Sequence, residues 1–134
     1  GGYLTHLLTN VPGSSSVMQQ SSVLYSNQAK LDMGASEEVL ETHGVYSKEL
    51  VEDLTQVVYQ KTGANIVVAV SGSLTRVDPK NENSLPGEFY YAILVNGNVF
   101  SEKRIIKDSL QRGESKDYIA RIVFKKLEEI LGDT

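Results

Sequence analysis

Apolar residues recur along this chain with two periods, and the switches between them outline its elements. Tyr3, Leu4, Leu7 and Leu8 share one side of a helical wheel, which predicts a short helix over residues 2–10 and then a loop at Pro12-Gly13-Ser14-Ser15-Ser16. A brief stretch with strand character, Val23-Leu24-Tyr25, breaks into polar residues. The clearest helical pattern follows over residues 47–62, where Leu50, Val51, Leu54, Val57 and Val58 form an apolar stripe, Ser47 is suited to the start and Gly63 to the stop. Asn65-Ile66-Val67-Val68-Ala69-Val70 is a continuous, largely β-branched run and reads as a central strand covered on both faces. Residues 88–95 and 98–106 flank Asn96-Gly97, a hairpin signal because both turn residues tolerate positive φ. Ile119, Ile122, Val123, Leu127, Ile130 and Leu131 stripe a closing helix that Ser115 is expected to cap. Helices alternating with strands ahead of a hairpin predict an α/β protein, a three-layer α/β/α sandwich with a mixed sheet. Residues 76–87 are the only extended loop, and its place at a strand end suits covering a site better than linking domains.

Composition narrows the class of partner. A chain of 134 residues is enough for a single domain burying about two thirds of its unfolded surface. Its net charge of −4 and isoelectric point near 5.2 argue against a broad nucleic-acid or anionic-membrane surface. The one basic cluster, Lys103-Arg104 with Lys107, alternates with apolar residues and reads as the solvated face of a strand. There is no cysteine, which removes disulfides, thiol catalysis and thiolate metal sites and fits a cytoplasmic protein. No apolar run approaches bilayer length. His6 points away from the apolar side of the first helix, and His43, just before Gly44, suits a helix end; two isolated histidines without a spaced carboxylate make no metal site.

The candidate chemistry lies in two polar segments that both follow strand-like runs. Tyr25-Ser26-Asn27-Gln28-Ala29-Lys30 packs hydroxyl, amide and amine groups into six residues. A lysine about one helical turn beyond such a corner can sit partly desolvated, and desolvation lowers a lysine pKa towards the range in which it acts as a base. The simpler reading of the same residues is a strand end with an Asn-capped turn and a solvated lysine. Ser71-Gly72-Ser73 ends the β-branched run, and ligands of α/β sheets bind at the carboxyl ends of strands. The two segments are therefore expected to face one cavity.

The order of these pieces resembles the CinA C-terminal family, whose members include nicotinamide-nucleotide amidases. Gly1-Gly2, the short helix, the Pro12-Gly13-Ser14-Ser15 loop, Tyr25-Ser26-Asn27-x-x-Lys30, His43-Gly44-Val45-Tyr46-Ser47 and the strand running into Ser71-Gly72 follow the family pattern over nearly the whole chain. The resemblance implies hydrolysis of the carboxamide of nicotinamide mononucleotide to the acid with release of ammonia, without a metal or other cofactor. A serine would attack the amide carbonyl and a nearby lysine would take its proton. On this chain the resemblance makes Lys30 the base, with Tyr25 assisting catalysis and Ser26, Asn27, Ser71, Gly72 and Ser73 lining the substrate site. The expected partners are a small nucleotide substrate and further copies of the chain in a homo-oligomer.

Several positions depart from the family pattern. The attacking serine belongs just before Cys-Thr-Gly-Gly, ahead of Gly1, so the domain is expected to be N-terminally incomplete. The family's Ile-Ala-Gly-Pro-Asp loop is replaced by Ser73-Leu74-Thr75-Arg76-Val77-Asp78, Glu88 stands in place of a threonine, and Gly113-Glu114-Ser115 lacks the arginine of Gly-Asp-Arg. A glutamate repels a phosphate and a lost arginine removes its usual fork, with Arg76 or Arg112 as substitutes. The alternative to an amidase is thus a weakened or inactive nucleotide-binding or assembly module on the same fold.

Overall fold

The computed structural model describes residues 1–73, 87–106 and 112–132. Their elements run in the order α1 (Tyr3–Thr9), a 3₁₀ turn (Ser14–Ser16), α2 (Asn27–Met33), α3 (Glu37–His43), α4 (Lys48–Thr62), β1 (Ile66–Ser73), β2 (Glu88–Val95), β3 (Asn98–Ile105) and α5 (Arg112–Gly132). The sheet has the order β1-β2-β3.

Alternation along β2 builds the three layers. All eight of its residues are buried, because both of its faces are covered. Phe89, Tyr91, Ile93 and Val95 point to one side, where they join Val68 and Val70 of β1 and Phe100 of β3 against Ile119 and Val123 of α5. Tyr90 and Ala92 point to the other side and meet Val51 of α4 beside Ala69. Fully burying side chains such as Phe89, Ile93 and Leu50 is worth about 1.5–3 kcal/mol each before entropy is counted. The result is the expected α/β/α arrangement. Every strand pairing among the described residues is antiparallel, so the parallel pair of a mixed sheet is not made there.

The helix and hairpin signals translate closely. Ser47 Oγ accepts the Leu50 N–H at 3.1 Å at the start of α4, and Gly63 takes the left-handed conformation at its end. Asn96 and Gly97 have φ of 49° and 86°, so the turn joins β2 to β3 with Val95 opposite Asn98.

Three expectations change, and the predicted first helix takes a peripheral place. The central, doubly covered strand is β2, whereas the β-branched run forms β1, which among the described residues pairs only with β2 and is largely half-buried. Val23-Leu24-Tyr25 is extended without being a strand: Leu24 packs towards Leu50 and Leu54, while Val23 and Tyr25 face outward. A strand needs a ladder partner, and this segment has none among the described residues. Helix α1 buries no residue, since it leans on α5 away from the sheet, with the Tyr3 hydroxyl bonded to Asp117. Finally, α5 starts at Arg112, so Ser115 lies inside the first turn and is buried there instead of standing ahead of it as a cap. Most of the Ser73–Asp78 loop, Lys107 and the side chain of Arg112 lie outside the described residues.

Candidate functional site

Lys30 is held by the backbone it has just left. Ser26 caps α2 by accepting the Ala29 N–H at 3.0 Å, which places Lys30 one turn along on the inner side. Its Nζ donates to the carbonyl of Leu24 at 2.7 Å and lies 3.5 Å from that of Ser26. The lysine is 9% exposed. The N–H groups of the lysine nitrogen are thus brought inside against carbonyl acceptors. Asn27, the first residue of α2, is exposed, and Tyr25 is 81% exposed.

The second segment ends β1. Ser71 Oγ donates to the carbonyl of Val45 at 2.7 Å, fastening the strand end to the loop that leads into α4. Gly72 lies opposite Phe89, and a Cβ added there would sit 2.8 Å from Phe89 Cβ and 3.1 Å from the Glu88 carbonyl. Glycine at this position lets the two strands close over a buried aromatic ring. Ser73 is buried opposite Glu88, and its carbonyl accepts the Gly87 N–H at 2.5 Å.

Packing joins the two segments. Leu24, whose carbonyl holds Lys30, contacts the cluster of Ala35, Val45, Leu50 and Leu54, and Ala69 of β1 packs on that same cluster. Tyr46 extends it to Val51, Tyr90 and Ala92. Val45 thus touches both segments: it belongs to the cluster that Leu24 joins, and its carbonyl accepts the Ser71 hydroxyl. The side chain of Tyr25 is turned away from both. An apolar cavity of about 200 Å³ lies elsewhere, at the hairpin end of the opposite sheet face, lined by Ile93, Val95, Val99, Phe100 and Ile130.

Sequence reading singled out Glu88, which lies opposite Ser73, but missed its partners. The carboxylate of Glu88, its side chain 7% exposed, takes the Lys103 ammonium at 2.8 Å and the Tyr90 hydroxyl at 3.4 Å. Lys103 and Arg104 are not one solvated face: neighbours in a strand point to opposite sides, so Lys103 meets Glu88 and Arg104 meets Glu102, at 3.2 Å. The hydrogen bond with Glu88, with the charge of Glu88 and the hydroxyl of Tyr90, raises the pKa of Lys103. Burial, reinforced by the Glu88 charge, raises that of Tyr90. Strand alternation combined with a glutamate at the start of the preceding strand was the available signal for this pairing. Among the described residues no group of three or more histidine, aspartate or glutamate side chains is gathered to hold a metal, and no helix is long and apolar enough to cross a membrane.

Comparison with known proteins agrees with the architecture. The chain is 45% identical over 73 residues to a CinA-like protein of Desulfosudis oleivorans, an alignment that takes in 54% of this chain and 18% of that protein. The crystal structure of the competence/damage inducible protein CihA from Agrobacterium tumefaciens superposes with a TM-score of 0.84 at 28% identity, covering 96% of this chain and 78% of that one. The competence damage-inducible protein A (ComA) of Klebsiella pneumoniae shares the fold at a TM-score of 0.87 and 21% identity, over 98% of this chain and 81% of that one. The CinA C-terminal domain profile matches residues 1–131, and the chain belongs to that family.

Proposed function

We propose that this chain contributes the lysine half of a Ser-Lys amidase site acting on the carboxamide of a pyridine nucleotide such as nicotinamide mononucleotide. The observation that supports this reading is Lys30, a buried amine aimed back at the Leu24 and Ser26 carbonyls on a capped helix. A serine hydroxyl attacks the amide carbon and gives its proton to the neutral amine of Lys30. Lys30 returns a proton to the departing nitrogen, ammonia leaves, and water releases the acid from the acyl-serine. Ser26, Asn27, Ser71, Gly72 and Ser73 form the walls against which the nucleotide lies, and Tyr25 assists after turning inward. No metal is required. The protein works in the cytoplasm and as a homo-oligomer.

A second reading has its own support. Tyr25 faces solvent and the Ser71 hydroxyl is committed to Val45, so two groups expected around a substrate are engaged elsewhere. On that reading the domain binds a nucleotide, or assembles, without turnover. Ammonia release by the full-length protein, with and without Lys30→Ala, separates the two. The amidase reading expects a loss of about 10²-fold or more. Undiminished release from the variant refutes it, and binding of the nucleotide by calorimetry without any release favours the second reading.

A further inference from the structure

We propose that Lys103, clamped by Glu88 over Tyr90, is the residue that selects an anionic group on the ligand, reading the phosphate of a nucleotide bound beside Ser71. This rests on the nucleotide reading above for the identity of the ligand, while the cation itself follows from the strand register. Ser71 pairs with Tyr90 and Tyr90 with Lys103, so the three stand in one row across the sheet, on the face towards α4. Strands β1 and β3 run in the same direction, which puts Ser71 and Lys103 near the same end of the sheet. The next row outward pairs Ser73 with Glu88.

The chemistry of the cluster is asymmetric. Glu88 is interior, with one oxygen facing Lys103 and the other facing the Tyr90 hydroxyl. Lys103 is the outer member, its side chain 45% exposed and its Nζ 5.9 Å from the centre of the Tyr90 ring. A carboxylate does not stay buried without a partner, so the ammonium is held in place for the sake of the fold. Held in that way, it has lost the freedom of a surface lysine before any ligand arrives, which reduces the entropy cost of binding. An anion approaching from solvent meets the ammonium first and the carboxylate only behind it. The glutamate that in sequence looks repulsive to phosphate is instead the anchor for a phosphate contact.

The test is calorimetric titration of the full-length protein with nicotinamide mononucleotide, with nicotinamide riboside, which lacks the phosphate, and with inorganic phosphate. Lys103→Met should weaken the mononucleotide about tenfold or more, leave the riboside within about twofold, and abolish any phosphate binding. The double variant Glu88→Gln with Lys103→Met removes both charges and guards against unfolding from an unpaired buried glutamate; it should show the same selective loss. Equal weakening of mononucleotide and riboside, or no change in either, overturns the role of Lys103. Binding of neither nucleoside form by the unmodified protein overturns the nucleotide reading; in that case phosphate binding that disappears with Lys103→Met still upholds the anion contact, and absence of phosphate binding overturns it too.

Discussion

Replacing Tyr91 by phenylalanine should make the stability of this domain less sensitive to alkaline pH. Tyr91 is fully buried in β2, and its hydroxyl donates to Glu102 of β3 at 2.5 Å. Burial, then the hydrogen bond to Glu102 and its negative charge, pushes the phenol well above its ordinary value of 10.0. The unfolded chain therefore gives up this proton first. The contribution of Tyr91 to stability is fully present below pH 10 and declines above it, by about 1.4 kcal/mol at pH 11. A hydrogen bond to a charged carboxylate contributes about 1.5–3 kcal/mol, and the lower end applies because Glu102 keeps Arg104 and is 30% exposed in its side chain. Urea denaturation at pH 8 should accordingly find Tyr91→Phe less stable than the parent by about 1.5 kcal/mol. At pH 11 the two should nearly coincide, because the parent has by then lost about as much through ionisation as the variant lost by substitution. Lysines and the other tyrosines titrate equally in both proteins and cancel in the comparison. A gap between the two that stays constant from pH 8 to pH 11 refutes the reasoning.

Glu102 sets the opposite limb of the same profile: burial opposes its ionisation, but bonds from Tyr91 and Arg104 prevail and lower its pKa below the ordinary 4.5, so its share of stability is present above that value and is lost as pH falls through the lowered one. Acid titration of Glu102→Gln should show a smaller loss below pH 4.5 than the parent; an identical acid limb counts against the assignment. Gly72→Ala should cost about 1–3 kcal/mol in thermal unfolding, because its Cβ would press on Phe89 and the Glu88 carbonyl, and a change under about 0.5 kcal/mol means the strands yield more easily than their packing suggests. Leu50→Ala empties a fully buried position shared by α4 and the Lys30 side of the domain, and should cost about 2–5 kcal/mol in urea denaturation; a cost below about 1 kcal/mol contradicts a packed core there.

Much of this was legible in the sequence where local and tertiary preferences agree. Ser47, the Leu50-Val51-Leu54 stripe and Gly63 specify α4 almost to the residue, and Asn96-Gly97 specifies its turn, because capping and positive φ are decided by a few adjacent residues. Ranking the strands failed because hydrophobicity alone does not show how a strand is covered: Ile66–Val70 is the more aliphatic run, yet among the described residues β2, with a glutamate and two tyrosines, is the strand buried on both sides. At the site, Ser26 and Lys30 were readable because a cap and a helical turn fix their relation. Glu88 with Lys103 was harder to read, since alternation shows that Lys103 and Arg104 part but their partners depend on the register of two strands. The reach of Tyr25 was overestimated for a related reason: its orientation follows from whether Val23–Tyr25 finds a ladder partner.

The opposite placement of Lys103 and Arg104 also bears on how the hairpin avoids folding wrongly. If β3 slid by one residue against β2, the two cations would exchange sides, Lys103 would enter the layer of Phe89 and Tyr91, and Glu88 would be left in the interior without its counter-ion. Leaving the interior Glu88 carboxylate without its counter-ion is costly for a small domain whose net stability is modest, even though Lys103 itself is half exposed. The same slip would turn Phe100 away from Tyr91 and Ile93. Lys103, tied across the strands to Glu88, thus acts as a key for strand alignment, while Arg104 keeps Glu102 within β3 in any register, and a mispaired hairpin is rejected before the last helix closes over it.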